Sequence, residues 1–406
     1  MRRLLAILLI IGTGSSYGEQ NWQFSGFGSI GLGKLNRDNL QFGEADNNWD
    51  FDNDTRLGLQ LQGDLTDQLS FTTQVSSSGL TLGTDKSYEP KLQWLFLSYE
   101  ASPNLQMRLG RLRSSHYIYS GTRDVGYSYP WARPPIDVYT YLLQPLVNID
   151  GGDVQYTLDM SDSLELDILL FAGEVEGDII DVTVDSSPTY GTTLTLRSIN
   201  WLLRYSFHIE HTDIQSNNLQ AITDYYGELT QLTGDPVFSE ISDSLYAQGT
   251  NYQYHAIGGQ WDFKQWGIIA EKYWVLAPDS GFANNSNGWY ISLLYHFNEF
   301  TPYTVISAYD NTLNKDTLPL IAEASSSYPF ASTLLQQTKD SFQSFNAKER
   351  SITLGMRYDF MPNTCLKLEV QYFDFLLEST GQGFLLNTAD YPDNATLMTI
   401  VMDVVF

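Results

Sequence analysis

Arginines, histidines and a run of alternating aspartates are the side chains of this 406-residue sequence that could do chemistry. Arg108, Arg111, Arg113, Arg123 and Arg133 crowd into residues 108–133, with Asp124 among them and Asp137 just beyond. Arg56, Arg197, Arg204 and Arg357 stand in other extended segments. A guanidinium is a planar fork that matches carboxylate, sulfate or phosphate. The cluster therefore predicts a site favouring anionic or neutral polar solutes, unless carboxylates such as Asp153, Glu165, Asp167 or Glu369 pair with the arginines and cancel them. Asp50, Asp52 and Asp54 offer oxygens at alternate positions, a pattern that suits Ca²⁺. Thr55 stands where the helix–loop–helix calcium motif needs glycine, and no glutamate follows at the right distance. These three are therefore weak metal candidates in a solvated acidic loop. The stretch 213–251, with Asp213, Asp224, Glu228, Asp235, Glu240 and Asp243 and no Lys or Arg, reads as the same kind of surface. Among the five histidines, His208 shares a face with Glu210, and the two read as polar lining. No Ser-centred glycine elbow, phosphate loop or zinc-type spacing occurs, so no enzyme and no cofactor is expected.

The elements that must hold these residues are strands. Apolar and polar residues alternate along the whole chain, and no helical period recurs. Sixteen segments of about 9–13 residues follow the pattern. They are 22–34, 55–64, 69–78, 91–100, 104–112, 148–158, 163–173, 191–198, 200–212, 252–263, 266–276, 288–297, 300–310, 350–360, 364–375 and 395–406. Short turns such as Ala101-Ser102-Pro103 and Met361-Pro362-Asn363 alternate with long polar segments near 35–54, 79–90, 113–147, 174–190, 213–251, 277–287, 311–349 and 376–394. Two faces can be assigned. Leu57, Leu59 and Leu61 oppose Arg56, Gly58 and Gln60. Trp201, Leu203, Tyr205 and Phe207 oppose Arg204, Ser206 and His208. Ile352, Leu354, Met356 and Tyr358 oppose Thr353 and Arg357. A charge on a lipid-facing strand costs about 2–4 kcal/mol at the bilayer midplane, so the arginines belong inside. The fold class is all-β: a transmembrane antiparallel β-barrel of about 16 strands, with long loops at one rim and short turns at the other.

Composition agrees. Met1-Arg2-Arg3, the apolar run Leu4–Ile11 and the small residues Ser16 and Gly18 predict a signal peptide over 1–18, leaving 19–406 as the barrel. A net charge of −26 excludes a nucleic-acid partner. Aromatic residues at 14% suit the two interfacial girdles of a barrel. The single cysteine, Cys365, cannot form an internal disulfide.

The last strand carries Met398, Ile400, Met402, Val404 and Phe406 on one face. It resembles the closing strand of Gram-negative outer-membrane barrels, whose terminal aromatic is read by the barrel-assembly machinery. As a whole the chain resembles the 16-stranded trimeric porins. That resemblance implies passive diffusion of small hydrophilic solutes and ions, a homotrimer, and contact with lipopolysaccharide and outer-membrane lipid. It further implies that the third long loop, 113–147, folds into the lumen and makes the constriction. The lining expected there comprises Arg56, Arg108, Arg111, Arg113, Arg123, Asp124, Arg133, Asp137, Arg204 and Arg357. The acidic cluster and Gly-rich signature of many such loops are missing, which puts cation preference in doubt. Two alternatives stand beside the porin. One is a channel specific for sugars or organic anions, with loop tyrosines stacking on the solute. The other is an outer-membrane enzyme or adhesin on a barrel scaffold.

Overall fold

The computed structural model describes residues 22–80, 87–139, 146–179, 182–245, 249–277, 285–312, 317–344, 347–376, 384–386 and 392–406. The expected leader lies outside the described residues. The alternation becomes strands β1 (Trp22–Leu35), β2 (Leu40–Phe42), β3 (Arg56–Asp64), β4 (Leu69–Ser78), β5 (Lys91–Ser102), β6 (Leu105–Arg113), β7 (Asn148–Ser161), β8 (Leu164–Ile179) and β9 (Val182–Ser198). Then follow β10 (Trp201–Gln215), β11 (Thr250–Phe263), β12 (Trp266–Leu276), β13 (Asn285–Tyr295), β14 (Phe300–Thr312), β15 (Ala347–Met361), β16 (Thr364–Phe375), β17 (Phe384–Leu386) and β18 (Asn394–Val405). All but β2 and β17 pair antiparallel into one closed 16-strand barrel. Each barrel strand overlaps one of the sixteen expected segments, with ends that differ by a few residues at most of them.

Closure joins the two ends of the chain. β1 pairs with β18 from Phe27↔Val405 to Leu35↔Leu397. Beyond that ladder, Gly26 and Phe406 exchange both backbone hydrogen bonds, at 2.8 and 2.9 Å. The Phe406 ring lies over Gly26, where an added Cβ would come within 2.5 Å of the ring Cζ. Closure leaves no sheet edge, which is what allows strands to stand in hydrocarbon.

The outer face is apolar, as the alternation requires. Leu57, Leu97, Leu109, Leu203, Leu354 and Met398 point outward and are exposed. Trp22, Tyr99, Trp261, Trp266, Phe300 and Phe406 ring the short-turn end. Such amphipathic rings belong at a membrane interface. The inward positions between them are mixed: many are polar, and aromatic or aliphatic residues such as Tyr290, Ile269 and Val305 stand where the interior is packed.

Two expectations about the long segments need correction. The fourth, 174–190, is largely strand: β8 and β9 continue pairing to Ile179↔Val182, past a bulge at Gly173/Val175. Within 213–251 and 311–349 the chain forms α1 (Asn217–Thr233), α2 (Val237–Leu245), α3 (Thr317–Ser327) and α4 (Ser332–Ser344). So a helical period does occur. Leu219, Ile222, Tyr226 and Leu229 recur three or four apart and pack with Phe238, Ile241, Ile321 and Leu335. Ser216 caps α1 through its side chain, and Gly234 at φ 72° ends it in the left-handed conformation. The first and eighth loops fold together through β2 and β17, and Phe42, Phe384, Phe373 and Leu397 form a buried cluster that takes in Ile136 of the third loop.

Candidate functional site

The third loop leaves β6 and docks inside the barrel. Its root is set by the carbonyl of Ser115, which accepts from Thr193 Oγ1 at 3.0 Å, Ser206 Oγ at 3.0 Å and Arg204 Nη2 at 3.2 Å. Further on, the Ile118 amide donates to Glu271 Oε2 at 2.8 Å. Glu271 Oε1 accepts from Tyr139 at 2.5 Å and from Tyr290 at 2.7 Å. Trp131 Nε1 donates to Ser292 Oγ at 3.0 Å. Glu369 Oε2 accepts from the Ala132 amide at 3.1 Å and from Tyr303 at 2.8 Å. At the far wall, Lys367 Nζ donates to the Gly126 carbonyl at 2.6 Å and pairs with Asp403 at 2.9 Å. Arg357 Nη1 donates to the carbonyls of Tyr127 and Tyr129 at 2.8 and 3.0 Å.

This loop holds its place for a reason visible in its composition. Pro130, Pro134 and Pro135 restrict φ and remove amide donors, so the segment cannot join a ladder. Its aromatic rings must still leave water. Tyr129, Trp131 and Tyr139 are buried against Tyr254, Tyr273, Tyr290 and Tyr303 of the wall. The stacking role expected for loop tyrosines is therefore spent on packing at these positions.

The structure sorts the expected arginines. Arg108 makes a two-pronged pair with Asp153 at 2.9 and 2.6 Å. Arg113 pairs with Asp124, and Arg197 with Asp167. Arg133 is buried and grips Asp54 with two bonds at 3.0 and 2.5 Å, with Glu369 at 3.9 Å. Arg357 pairs with Asp359 at 2.8 Å. Arg123 Nη2 donates to the Tyr139 carbonyl at 3.1 Å, and Arg56 Nη1 to the Arg123 carbonyl at 3.4 Å. Arg111 corrects the expected lining: its register partners are Leu95 and Asp150, and Leu95 faces outward. It lies on the outer surface, paired with Asp150 at 2.5 Å. Strand parity separates Arg108 from Arg111, while Arg113, of the same parity as Arg111, is the last residue of β6 and turns in with the loop to Asp124.

The weak calcium reading is corrected too. Asp54 is buried and committed to Arg133, and Asp52 accepts from the Tyr88 hydroxyl at 2.5 Å. Asp50 accepts the Asp52 amide at 2.8 Å. The three carboxylates have separate partners and do not converge.

Two loop carboxyls show opposite electrostatics. Burial alone would raise the Asp124 pKa, but Arg113, Arg56 and Arg123 together hold it below the usual range. Among the described residues no cation pairs with Asp137. Burial pushes its carboxyl up to about 6, against the hydrogen bonds from Ser307 and Ser351. Its Oδ1 is buried without a partner, which suits a protonated acid.

Between the loop and the opposite wall lies a cavity of about 130 Å³, lined by Trp94, Phe96, Arg108, Arg113, Ser114, Ser115, Ser120 and Gly121. Reading the chain alone missed Glu271, Glu369, Lys367 and Asp403 as loop anchors. All four are charged residues on the inward parity of strands, and that parity was the available signal.

No protein-family model matches the chain, and no curated protein sequence matches it. Solved structures do. The anion-selective porin from Comamonas acidovorans aligns over 96% of this chain and 100% of its own, with a TM-score of 0.57 and 11% identity. The outer-membrane channel DcaP of Acinetobacter baumannii aligns over 97% and 99%, with a TM-score of 0.57 and 14% identity. OmpT, an outer-membrane protein of Vibrio cholerae described in a trimer form, aligns over 95% and 99%, with a TM-score of 0.50 and 10% identity. The fold is that of the 16-stranded outer-membrane porins: a closed transmembrane barrel with a loop held in its lumen.

Proposed function

We propose that this protein is an outer-membrane porin of a Gram-negative bacterium, carrying small hydrophilic solutes passively down their gradients. One observation carries the reading. The third loop is anchored to the inner wall from β9 round to β18, and open space is left between its first turn and the wall of β5 and β6. A 16-strand barrel is too wide for side chains to fill, so a loop of this kind sets the cross-section. Selectivity follows from the pairing. Arg108 and Arg113, the cations of the opening, each hold a carboxylate. Of the solutes expected from sequence, neutral polar ones then fit better than anions, and ion selectivity is weak. The trimer named for the Vibrio protein supports a homotrimer here, with lipopolysaccharide around it and Phe406 as the assembly signal.

Single-channel recording in planar bilayers tests this. Discrete open steps in KCl, with a reversal potential near zero in a salt gradient, are expected. A protein that inserts and never conducts would sink the reading and favour an enzyme or adhesin on the same scaffold.

A further inference from the structure

We infer that His116, His208 and Glu210 form a binding site for a divalent transition-metal ion of the Zn²⁺ class, which clips the root of the third loop to the barrel wall. One ligand atom from each residue falls within 4.8 Å of the others. His116 comes from the loop; His208 and Glu210 come from β10, two residues apart and both on its inward parity. His116 Nε2 is 3.7 Å from Glu210 Oε1, and the two imidazole rings are 4.0 Å apart.

The second observation is independent of that convergence. His208 is fully buried, and neither ring nitrogen has a hydrogen-bond partner. A buried imidazole left without partners forfeits the interactions it had in water. A metal ion bound at one nitrogen supplies the missing interaction. His116 is already oriented for the role. Its Nδ1 lies 3.0 Å from Ser114 Oγ, which leaves Nε2 for the ion, as outer partners of ligating histidines commonly do. Two imidazoles and one carboxylate are a borderline donor set suited to Zn²⁺ or Cu²⁺ and poor for Ca²⁺. Three protein ligands leave a fourth position for water. His116 and Glu210 are partly exposed, so an ion can enter. The neighbouring cation, Arg204, is turned to the Ser115 carbonyl and hydroxyl. Phe171 and Tyr254 wall the rest of the site.

The test is metal binding by full-length, tag-free protein in detergent, with Co²⁺ as the optical probe and Zn²⁺ as competitor. The expected result is one Co²⁺ per chain with the intense visible absorption of a four- or five-coordinate site, displaced by Zn²⁺. His116→Gln should weaken binding by at least about tenfold, since even outer-shell partners of a ligating histidine are worth about 10–100-fold. Because His116 is a loop residue, the barrel of that variant should keep its β circular dichroism. Glu210→Gln, on the wall, should weaken binding likewise. Only the faint absorption of octahedral cobalt, or wild-type affinity in His116→Gln, would mean that ions sit on the acidic loops and would overturn the site. The readout needs no open channel, so its failure is separate from failure of the porin reading.

Discussion

The two halves of the barrel interior are built differently. From β11 to β16 the inward positions carry Tyr254, Glu271, Tyr273, Tyr290, Tyr303, Lys367 and Glu369, and the third loop covers them. From β3 to β6 they carry mostly small or neutral groups, Gln60, Thr72, Gln74, Ser76 and Ser98, and the loop is reached from these strands by Arg56, through the Arg123 carbonyl, and by Arg113, through Asp124. The first half spends its polar atoms on the loop, while the second leaves most of its surface to water and solute. Channel width is thus decided by which wall the loop can satisfy, and breaking the loop's anchors should erase the difference between the halves.

The largest break is Arg133→Ala. It would leave Asp54 and Glu369 buried with no counter-charge, and removing one partner of a buried pair costs about 3–5 kcal/mol. Only the loop has to move to relieve this. Higher and noisier single-channel conductance, with faster proteolysis of the loop in folded barrels, is the expected outcome. Unchanged conductance would show that the loop does not set the width.

Acidity should move the same equilibrium less. The Asp137 carboxyl titrates near 6 when docked and near the ordinary value of about 3.9 when released. The docked state therefore favours the protonated acid. Its contribution is complete below about pH 4 and is lost as pH rises through 6, by about 2–3 kcal/mol at roughly 1.36 kcal/mol per unit. Loop opening should thus grow between about pH 4 and 6, and Asp137→Asn, which stays neutral, should flatten that dependence. A steeper profile in the variant would reverse the assignment.

Gly288→Val sharpens the contrast by packing alone. A Cβ at Gly288 would overlap the Asp137 carbonyl, so the loop must rise from β13. Overpacking of this kind costs about 1–3 kcal/mol. The same exchange at Gly121, where an added Cβ meets nothing, should leave thermal stability unchanged.

The barrel itself was legible because a period of two needs no partner to be read. All sixteen crossings fell where Leu, Ile and Tyr alternate with Gln, Thr and Arg. The helices of the fifth and seventh loops were harder, since Leu219, Ile222, Tyr226 and Leu229 are diluted by Asn, Gln and Thr and find their cover in another loop. Charge placement was legible only as parity. That Arg133 would meet Asp54, or that His116 would meet His208, depends on where a loop docks across the lumen, and local spacing carries no trace of it. Arg111 shows the same limit from the other side: membership of a cluster in sequence said nothing about which face it shared.

The smallest expected effect bears on the open half. Arg108 is partly exposed toward the open side of the lumen, Asp153 is buried beside it, and the two charges nearly cancel. Arg108→Gln would leave Asp153 unbalanced and turn the channel toward cations, while Asp153→Asn would turn it toward anions. Arg108 is partly solvated while Asp153 is buried, and the lumen screens charge over about 10 Å at 0.1 M salt, so each selectivity shift should stay within about 1 kcal/mol, or roughly fivefold in permeability ratio. Opposite shifts of reversal potential in the two variants, larger at low salt, would place the pair beside the solute path. If neither variant moves it while Arg133→Ala still changes conductance, the path runs along another wall.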